Sequence, residues 1–562
     1  MARALRVVLI GGIPGTKSPA ALSRLMTWAR AHHPAEAARL AVAPKFEDLL
    51  IEEFNRAAEN PAPNIIPLLA EPRPILRDLW LRTADLLKAR LDGLAEQEDG
   101  LETVLVPVHL SWYHQRIREY IEVLDVEKLR SAIHPHSVVR VLCLIDDIQD
   151  IYCRLRAPGA LYDREAATLD PRMVRRGHAF LRHLRILDWR ARELLVAESV
   201  ANRLACPMAV LATKHQPSVA FHYLSGLAPA YFSHPISEAR DLEASGIPAY
   251  LDLAASIKEA MWELQECLAA DMPLLQPTCV DEYRLRKEGA PILTDRFYPH
   301  GRYAHTMWSE VDCGDDVIFD DLGPNGVESL SPEEAAAAQD LGGIVLSFVE
   351  NQVTSRDLQL VTQATNLIVY RPRFNGNLSR GVQAEIAYFD RLAQWSAART
   401  ADGDTTAHPT GHVILIDTAY DAAEFPVRQL LKAMVAATIA GEWSVSLRED
   451  EILQYQSRVS SQTRTLIQIA ATTLGQVEHA VRSVLRDLGH DGAFNVTKVI
   501  AERPLGQSEY ERQQETKTAL FRAFQRALAP FDSRSPYAGR VVIQADGKNV
   551  EALAAEIVAA MA

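Results

Sequence analysis

At 562 residues, with 48% hydrophobic and 23% charged residues, the chain has the composition of a folded globular protein, too long for one hydrophobic core and suited to about three. Its formal charge of −14 argues against a strong nonspecific hold on nucleic acid, which needs clustered Lys and Arg against the phosphates. Six cysteines, at 143, 153, 206, 267, 279 and 313, show neither a CxxC pair nor zinc-ligand spacing, so a reduced, cytoplasmic compartment without disulfides or structural zinc is the simplest reading.

The first element is the apolar run Val7 to Ile10, which meets glycines too soon for a signal peptide and reads as a buried strand. No later apolar run reaches the roughly eighteen residues that cross a bilayer, so no membrane partner is expected. Short β-rich runs at 6–10, 103–108, 138–145, 208–212, 229–233, 366–370 and 412–416 alternate with helical patterns. That alternation predicts an α/β protein with parallel sheets covered by helices. Arg176 to Leu204, with apolar residues at three- and four-residue spacing among arginines, predicts a surface helix packed on such a sheet.

Arg6 to Ser18 (RVVLIGGIPGTKS) sets a strand, a glycine-rich turn, a Lys and a Ser directly before a helix start at Pro19. Backbone N–H groups of such a turn cradle phosphates while the Lys neutralises them, which marks Gly12, Gly15, Thr16, Lys17 and Ser18 as phosphate-binding candidates. Val138 to Asp147 (VVRVLCLIDD) ends in Asp146 and Asp147, as a strand presenting a Mg²⁺ or water ligand does. The stretch resembles the Walker A loop of P-loop kinases and ATPases, and the layout of residues 1–225 is similar to nucleotide-kinase-type P-loop domains. The resemblance implies ATP or GTP with Mg²⁺ as cofactor, and Asp146 and Lys17 facing one phosphate site. Thr16 stands where the pattern has its last glycine, which predicts weak or absent ATP hydrolysis. Arg182, Arg185 and Arg190 read either as phosphate clamps or as a solvated helix face.

The second constellation starts at Ala230 to Ser237 (AYFSHPIS), continues at Asn366 to Pro372 (NLIVYRP), and ends on Asn375 to Tyr388 (NGNLSRGVQAEIAY). Two strands ending in polar turns are followed by a helix start that carries Gly381 and Glu385, and sites in open parallel sheets lie at such strand ends. These residues resemble the nucleoside 2-deoxyribosyltransferases and their TIR-like relatives over roughly 226–440, which implies a Rossmann-like domain. By that resemblance Glu385 is the nucleophilic carboxylate, Tyr231 positions it, and Asp357 is the acid or base-binding group. Ser233, His234, Ser379, Gly381 and Arg371 line the substrate, with Gly381 permitting close approach. Ser379 stands where many relatives have Asp, a departure that weakens faithful sugar transfer more than glycosidic cleavage. Arg371 and Arg373 would favour a nucleotide phosphate, while His234 reads as a phosphate contact or a turn histidine. The resemblance also implies a homo-oligomer.

Residues 310–343 read as an acidic, Gly- and Pro-containing loop followed by a helix, and Ala398 to Pro409 as another loop. The rest, 441–562, is expected to be mainly helical and to end in a strand and helix, Arg540 to Met561, that is a candidate to complete an earlier sheet. Three readings follow. One is an enzyme acting at the N-glycosidic bond of a nucleoside, nucleotide or NAD-like metabolite. The second is a P-loop phosphotransferase or ATPase with a nucleotide-sensing middle domain, and the third a nonenzymatic nucleotide sensor in a defence system.

Overall fold

The computed structural model describes residues 5–56, 61–63, 65, 67–68, 71–97, 100–133 (less 115–118 and 123), 137–156 (less 138), 171–236, 248–280, 283–285, 292–294, 348, 351–401 (less 353, 375 and 376), 411–417 and 539–561 (less 546). The chain divides into two compact units, the first made of Met1–Leu227 and Leu275–Gln363, the second of Ala228–Leu274 and Ala364–Ala562. Each unit thus borrows a segment from within the sequence span of the other, which local sequence patterns do not signal. The expected acidic loop at 310–343 and the expected helical stretch at 441–530 lie outside the described residues.

The strands of the first unit used below are β1 (Arg6–Gly11), β2 (Leu40–Val42), β3 (Thr103–Pro107), a hairpin of β4 (Ser111–His114) and β5 (Glu119–Glu122), then β6 (Val139–Ile145) and β7 (Met208–Ala212). Five of them form one sheet in the order β2, β3, β1, β6, β7, every neighbouring pair parallel. Strands covered by helices on both faces need apolar residues throughout rather than alternation, and Val7 to Ile10 and Val141 to Ile145 are accordingly buried. The helices used below are α1 (Ser18–His32), α2 (Phe46–Asn55), α3 (Arg73–Gln97), α4 (Val126–Ala132), α5 (Ile148–Arg156), α6 (Pro171–Leu204) and α7 (Pro217–Leu224). On α6 the buried positions Ile186, Leu187, Trp189, Arg190, Glu193, Ala197, Val200 and Ala201 follow the helical period of three and four, so polar residues of this helix face inward alongside apolar ones.

From β1 the chain crosses to β2 on one side; from β6 it passes to β7 on the other. Adjacent strands whose connections leave in opposite directions define a topological switch point, where open α/β sheets hold ligands. In this unit that point lies between β1 and β6. At the far edge Gln363, just beyond a helical stretch over 354–362, accepts from the Val210 N–H and donates to its carbonyl, both at 2.7 Å.

The second unit contains β8 (Ala230–Ser233), α8 (Pro248–Asp271), β9 (Leu274–Leu275), β10 (Asn366–Tyr370), α9 (Arg380–Ala401), β11 (Val413–Asp417), β12 (Val541–Gln544) and α10 (Val550–Met561). Its sheet runs β12, β11, β10, β8, β9, with β12, β11, β10 and β8 parallel to one another. Val541 to Gln544 completes this sheet beside β11, and α10 packs its buried Leu553 and Ile557 in the same unit. Taken by sequence the order is second, first, third, fourth, fifth, which puts the switch point between β8 and β10.

All seven strands expected from the sequence form, with ends displaced by a residue or so. Three-residue β2 and the hairpin β4–β5, whose Ser-Trp-Tyr-His strand is no apolar run, carried too weak a pattern to be read. Among the described residues no helix is long and apolar enough to cross a membrane.

Candidate functional site

At the switch point of the first unit, the glycine turn is engaged from every side by its own protein. The Thr16 N–H donates to the Ile13 carbonyl at 3.1 Å, with Pro14 and Gly15 between them and Gly15 at φ +97°. Proline at the second and a positive-φ glycine at the third position make a type II β-turn. Thr16 is buried, and its Oγ1 adds a second bond to Ile13 O at 2.8 Å. Gly12 takes φ +145°, and a Cβ there would lie 2.8 Å from Thr16 Oγ1 and 2.9 Å from the Leu144 carbonyl, so only glycine fits. Lys17 is exposed, in the left-handed region at φ 48°, and caps α1. Ser18 is buried in the first turn of that helix.

The Gly12 N–H donates to Glu193 Oε1 at 3.0 Å. The same carboxylate accepts from the N–H groups of Leu110 and Ser111 at 2.8 and 2.7 Å and from Ser111 Oγ at 2.5 Å. Burial raises the Glu193 carboxyl above its ordinary range, against the lowering pull of these donors. The Gly12 carbonyl accepts from Nδ1 of buried His109, whose Nε2 lies 3.1 Å from Lys45 Nζ. With a donor Nδ1–H on one side and an ammonium on the other, His109 is the neutral Nδ1 tautomer. Its titration is held well below the ordinary value by burial, and then by Lys45.

Asp146 and Asp147 sit at the end of β6 as expected, but their partners are cations of the chain. Lys214, in the turn after β7, lies 3.4 Å from Asp146 and 2.6 Å from Asp150, and contacts Asp147 more closely still. Arg154 bonds Asp146 at 2.7 Å and the Gly15 carbonyl at 2.8 Å, and Arg190 donates to the Asp146 carbonyl at 3.3 Å. The three carboxylates have oxygens within 4.8 Å of one another, a spacing that suits a cation. The ammonium of Lys214 fills that role. Burial alone would raise the Asp146 carboxyl; Lys214 and Arg154 outweigh it and hold the group below its ordinary range. Asp147 also caps α5, accepting from the Asp150 N–H at 2.9 Å. Arg190 is therefore a buried network residue; Arg185 is half-buried and its carbonyl accepts from Tyr120, and the Arg182 side chain lies outside the described residues.

In the second unit the structure brings together Tyr231, Ser233 and Glu385. Tyr231 and Ser233 are two apart on β8 and so share one face of the strand. From there the Tyr231 hydroxyl donates to Glu385 Oε1 at 2.7 Å, and the Ser233 hydroxyl donates to Oε2. Both donors are fully buried, while Glu385, in the second turn of α9, is half-buried.

Around them, Ser379 is buried immediately before α9, its N–H on the Pro372 carbonyl at 3.2 Å and its carbonyl accepting from Gln383 at 2.9 Å. Arg371, just past β10, is buried and held at φ 52° by the bond from its N–H to Ile416 O at 2.8 Å. A non-glycine residue in this region stores strain of about 1–3 kcal/mol, a feature that concentrates at functional sites. His234, just past β8, is buried, its ring 5.8 Å from that of Phe232. Gly381 is exposed, with open space where a Cβ would stand, so nothing among the described residues requires glycine there. The Arg373 side chain lies outside the described residues. Asp357 belongs to the first unit, where its Oδ1 accepts from Arg356 Nε and Nη2 at 3.0 and 2.8 Å.

Glu193, Lys214, Arg154 and His109 are the site residues that sequence reasoning did not assign. For the turn itself a signal was present: Pro14-Gly15 is a type II turn dipeptide. Set against known proteins, the chain matches no family model and none of the curated proteins.

Proposed function

We propose that the second unit cleaves, or transfers at, the N-glycosidic bond of a nucleoside, nucleotide or NAD-like metabolite, with Glu385 as the nucleophile. The observation that carries this reading is the 2.7 Å bond from the Tyr231 hydroxyl to Glu385 Oε1, at the sheet's topological switch point. A half-buried carboxylate held by a strand-borne hydroxyl is suited to attack a sugar carbon. In the first step a Glu385 oxygen forms a bond to C1′ as the C1′–N bond breaks. The electron pair leaves with the base, which takes up a proton from solvent. Water, releasing a proton to solvent, or a second base then attacks C1′, and Glu385 departs as carboxylate, as in retaining glycoside hydrolysis. The resemblance to deoxyribosyltransferases supports the same assignment, and the buried guanidinium of Arg371 suits a phosphate-bearing substrate. Asp357, in the other unit, is given no role in this scheme.

For the first unit we infer a P-loop-like scaffold that does not turn over ATP. The groups that would hold a Mg²⁺ nucleotide are engaged within the protein: Gly12 N–H by Glu193, Thr16 N–H by Ile13, and the Asp146–Asp147–Asp150 carboxylates by Lys214. These engagements do not fit a nucleotide cofactor there.

The test is incubation of the purified protein with a panel of nucleosides, nucleotides and NAD, with free base read by chromatography, for wild type and Glu385→Gln. Base release by wild type that falls by several powers of ten in the folded variant supports the reading; equal rates overturn it.

A further inference from the structure

We infer that Ser233 is a positioning residue for Glu385 rather than a substrate contact, so that the nucleophile is fixed by a pair of hydroxyls, one on each oxygen. This rests on the glycosidic reading above and assigns a task within it. A carboxylate on a helix keeps rotational freedom about its terminal bond, which is broad and weakly restrained. One hydroxyl on one oxygen leaves that rotation partly open. Tyr231 on Oε1 and Ser233 on Oε2 define the carboxylate plane completely. The two hydroxyls come from the same face of one central strand, separated by Phe232, which points to the opposite face. Both donor residues are fully buried, so water does not compete for Glu385 from their side, and the β8 backbone is locked by pairing with β10 from Ala230 to Ser233. The rigid element is the strand; the element it disciplines is the first part of α9.

The same bond acts at both ends of the cycle. In the first step it holds one oxygen in line with C1′. Once that oxygen carries the sugar as an ester, a hydroxyl donating to the partner oxygen stabilises the negative charge that returns to the carboxylate when Glu385 leaves.

Ser233→Ala removes the donor with a small loss of volume, and Ser233→Thr restores a hydroxyl. Hydrogen bonds to a charged group are worth about 1.5–3 kcal/mol, which corresponds to roughly tenfold to hundredfold in rate. The expected result for Ser233→Ala is a drop of that size in kcat with KM changed by less than about threefold. The acid limb of its pH–rate profile should move to higher pH, because a donor that favours the charged carboxylate is gone. Ser233→Thr should recover at least part of kcat. Glu385→Gln, run alongside, separates the two claims. If Glu385→Gln abolishes base release while Ser233→Ala keeps wild-type kcat and pH profile, or raises KM alone, the positioning role is overturned and the nucleophile stands. If Glu385→Gln is as active as wild type, the glycosidic reading itself falls.

Discussion

The Gly12 N–H and the Glu193 carboxylate meet across 3.0 Å, so the glycine turn after β1 already holds an anion, one supplied by helix α6 of its own unit. Leu110 and Ser111 complete the cradle. Glu193→Ala would leave three backbone N–H groups and a hydroxyl without their acceptor. Buried donors cost about 1–3 kcal/mol each when orphaned, and we expect a loss of at least about 3 kcal/mol after relaxation. Added formate or acetate should recover part of it by filling the cradle. Urea unfolding with and without formate measures both, and an unchanged stability in the variant would show that the cradle is not holding the unit together.

Lys214 is the counter-ion of three buried carboxylates. Lys214→Met removes the charge while keeping much of the side-chain volume. Breaking a buried ion cluster by deleting one partner costs about 3–5 kcal/mol, so the expected outcome is a marked fall in melting temperature. A shift of only a degree or two would mean that Arg154 and Arg190 suffice to balance Asp146, Asp147 and Asp150.

His215 gives a pH dependence whose sign is fixed. Burial lowers its titration from 6.5 to about 4, with a smaller opposing effect from the Ala212 carbonyl, and its Nε2 accepts from the Gln276 N–H at 3.0 Å. Between pH 4 and 6.5 the unfolded chain binds the extra proton, so stability falls as pH falls through that window. The contribution, fully present above 6.5 and lost below 4, is about 3 kcal/mol. Burial raises Glu47 and Glu193, which slope the other way, so the measurement is the difference between wild type and His215→Gln at each pH. Parallel curves for the two proteins would reject the assignment.

Two glycines should respond in opposite directions. Gly12→Ala forces a Cβ against the Leu144 carbonyl at 2.9 Å in a positive-φ conformation and should cost several kcal/mol, on the order of 2–4. Gly381→Ala, exposed on α9 with open space around it, should gain about 0.5–1 kcal/mol in helix propensity. If base release falls in Gly381→Ala while stability rises, a bound substrate approaches the helix start closely.

The sheets were legible because parallel strands buried on both faces read as apolar runs, and Val7 to Ile10, Val141 to Ile145 and Leu367 to Tyr370 are such runs. Tyr231 and Glu385, 154 positions apart, were singled out together only through the resemblance to the deoxyribosyltransferases, carried by a strand-end motif and a helix start. What was not legible is the chemistry of single polar residues whose partners are remote. Glu193 sits in a helix rich in charge, and nothing local distinguishes it from its solvated neighbours. Only the packing of α6 against β6 and β4 makes it an acceptor for Gly12, Leu110 and Ser111. Lys214 was likewise one basic residue in a turn, and His109 one histidine after a strand. Thr16 in place of the pattern's last glycine was visible, but the closed turn over Pro14-Gly15 appears only with the Thr16 to Ile13 bond.

Strand β7 ends the sheet of the first unit, and an outer strand presents unpaired N–H and C=O groups to any other chain that comes near. Gln363 answers at Val210 with one side-chain amide, accepting and donating as a neighbouring strand residue would. A single glutamine therefore imitates a β-ladder rung without offering a backbone that could continue it. The middle of the edge is sealed against strand addition, and this sealing lies in the same segment that hands the chain on to the second unit at Ala364. Keeping that segment docked is thus also a guard against intermolecular sheet growth, built from one amide placed 153 residues away from the strand residue it shields.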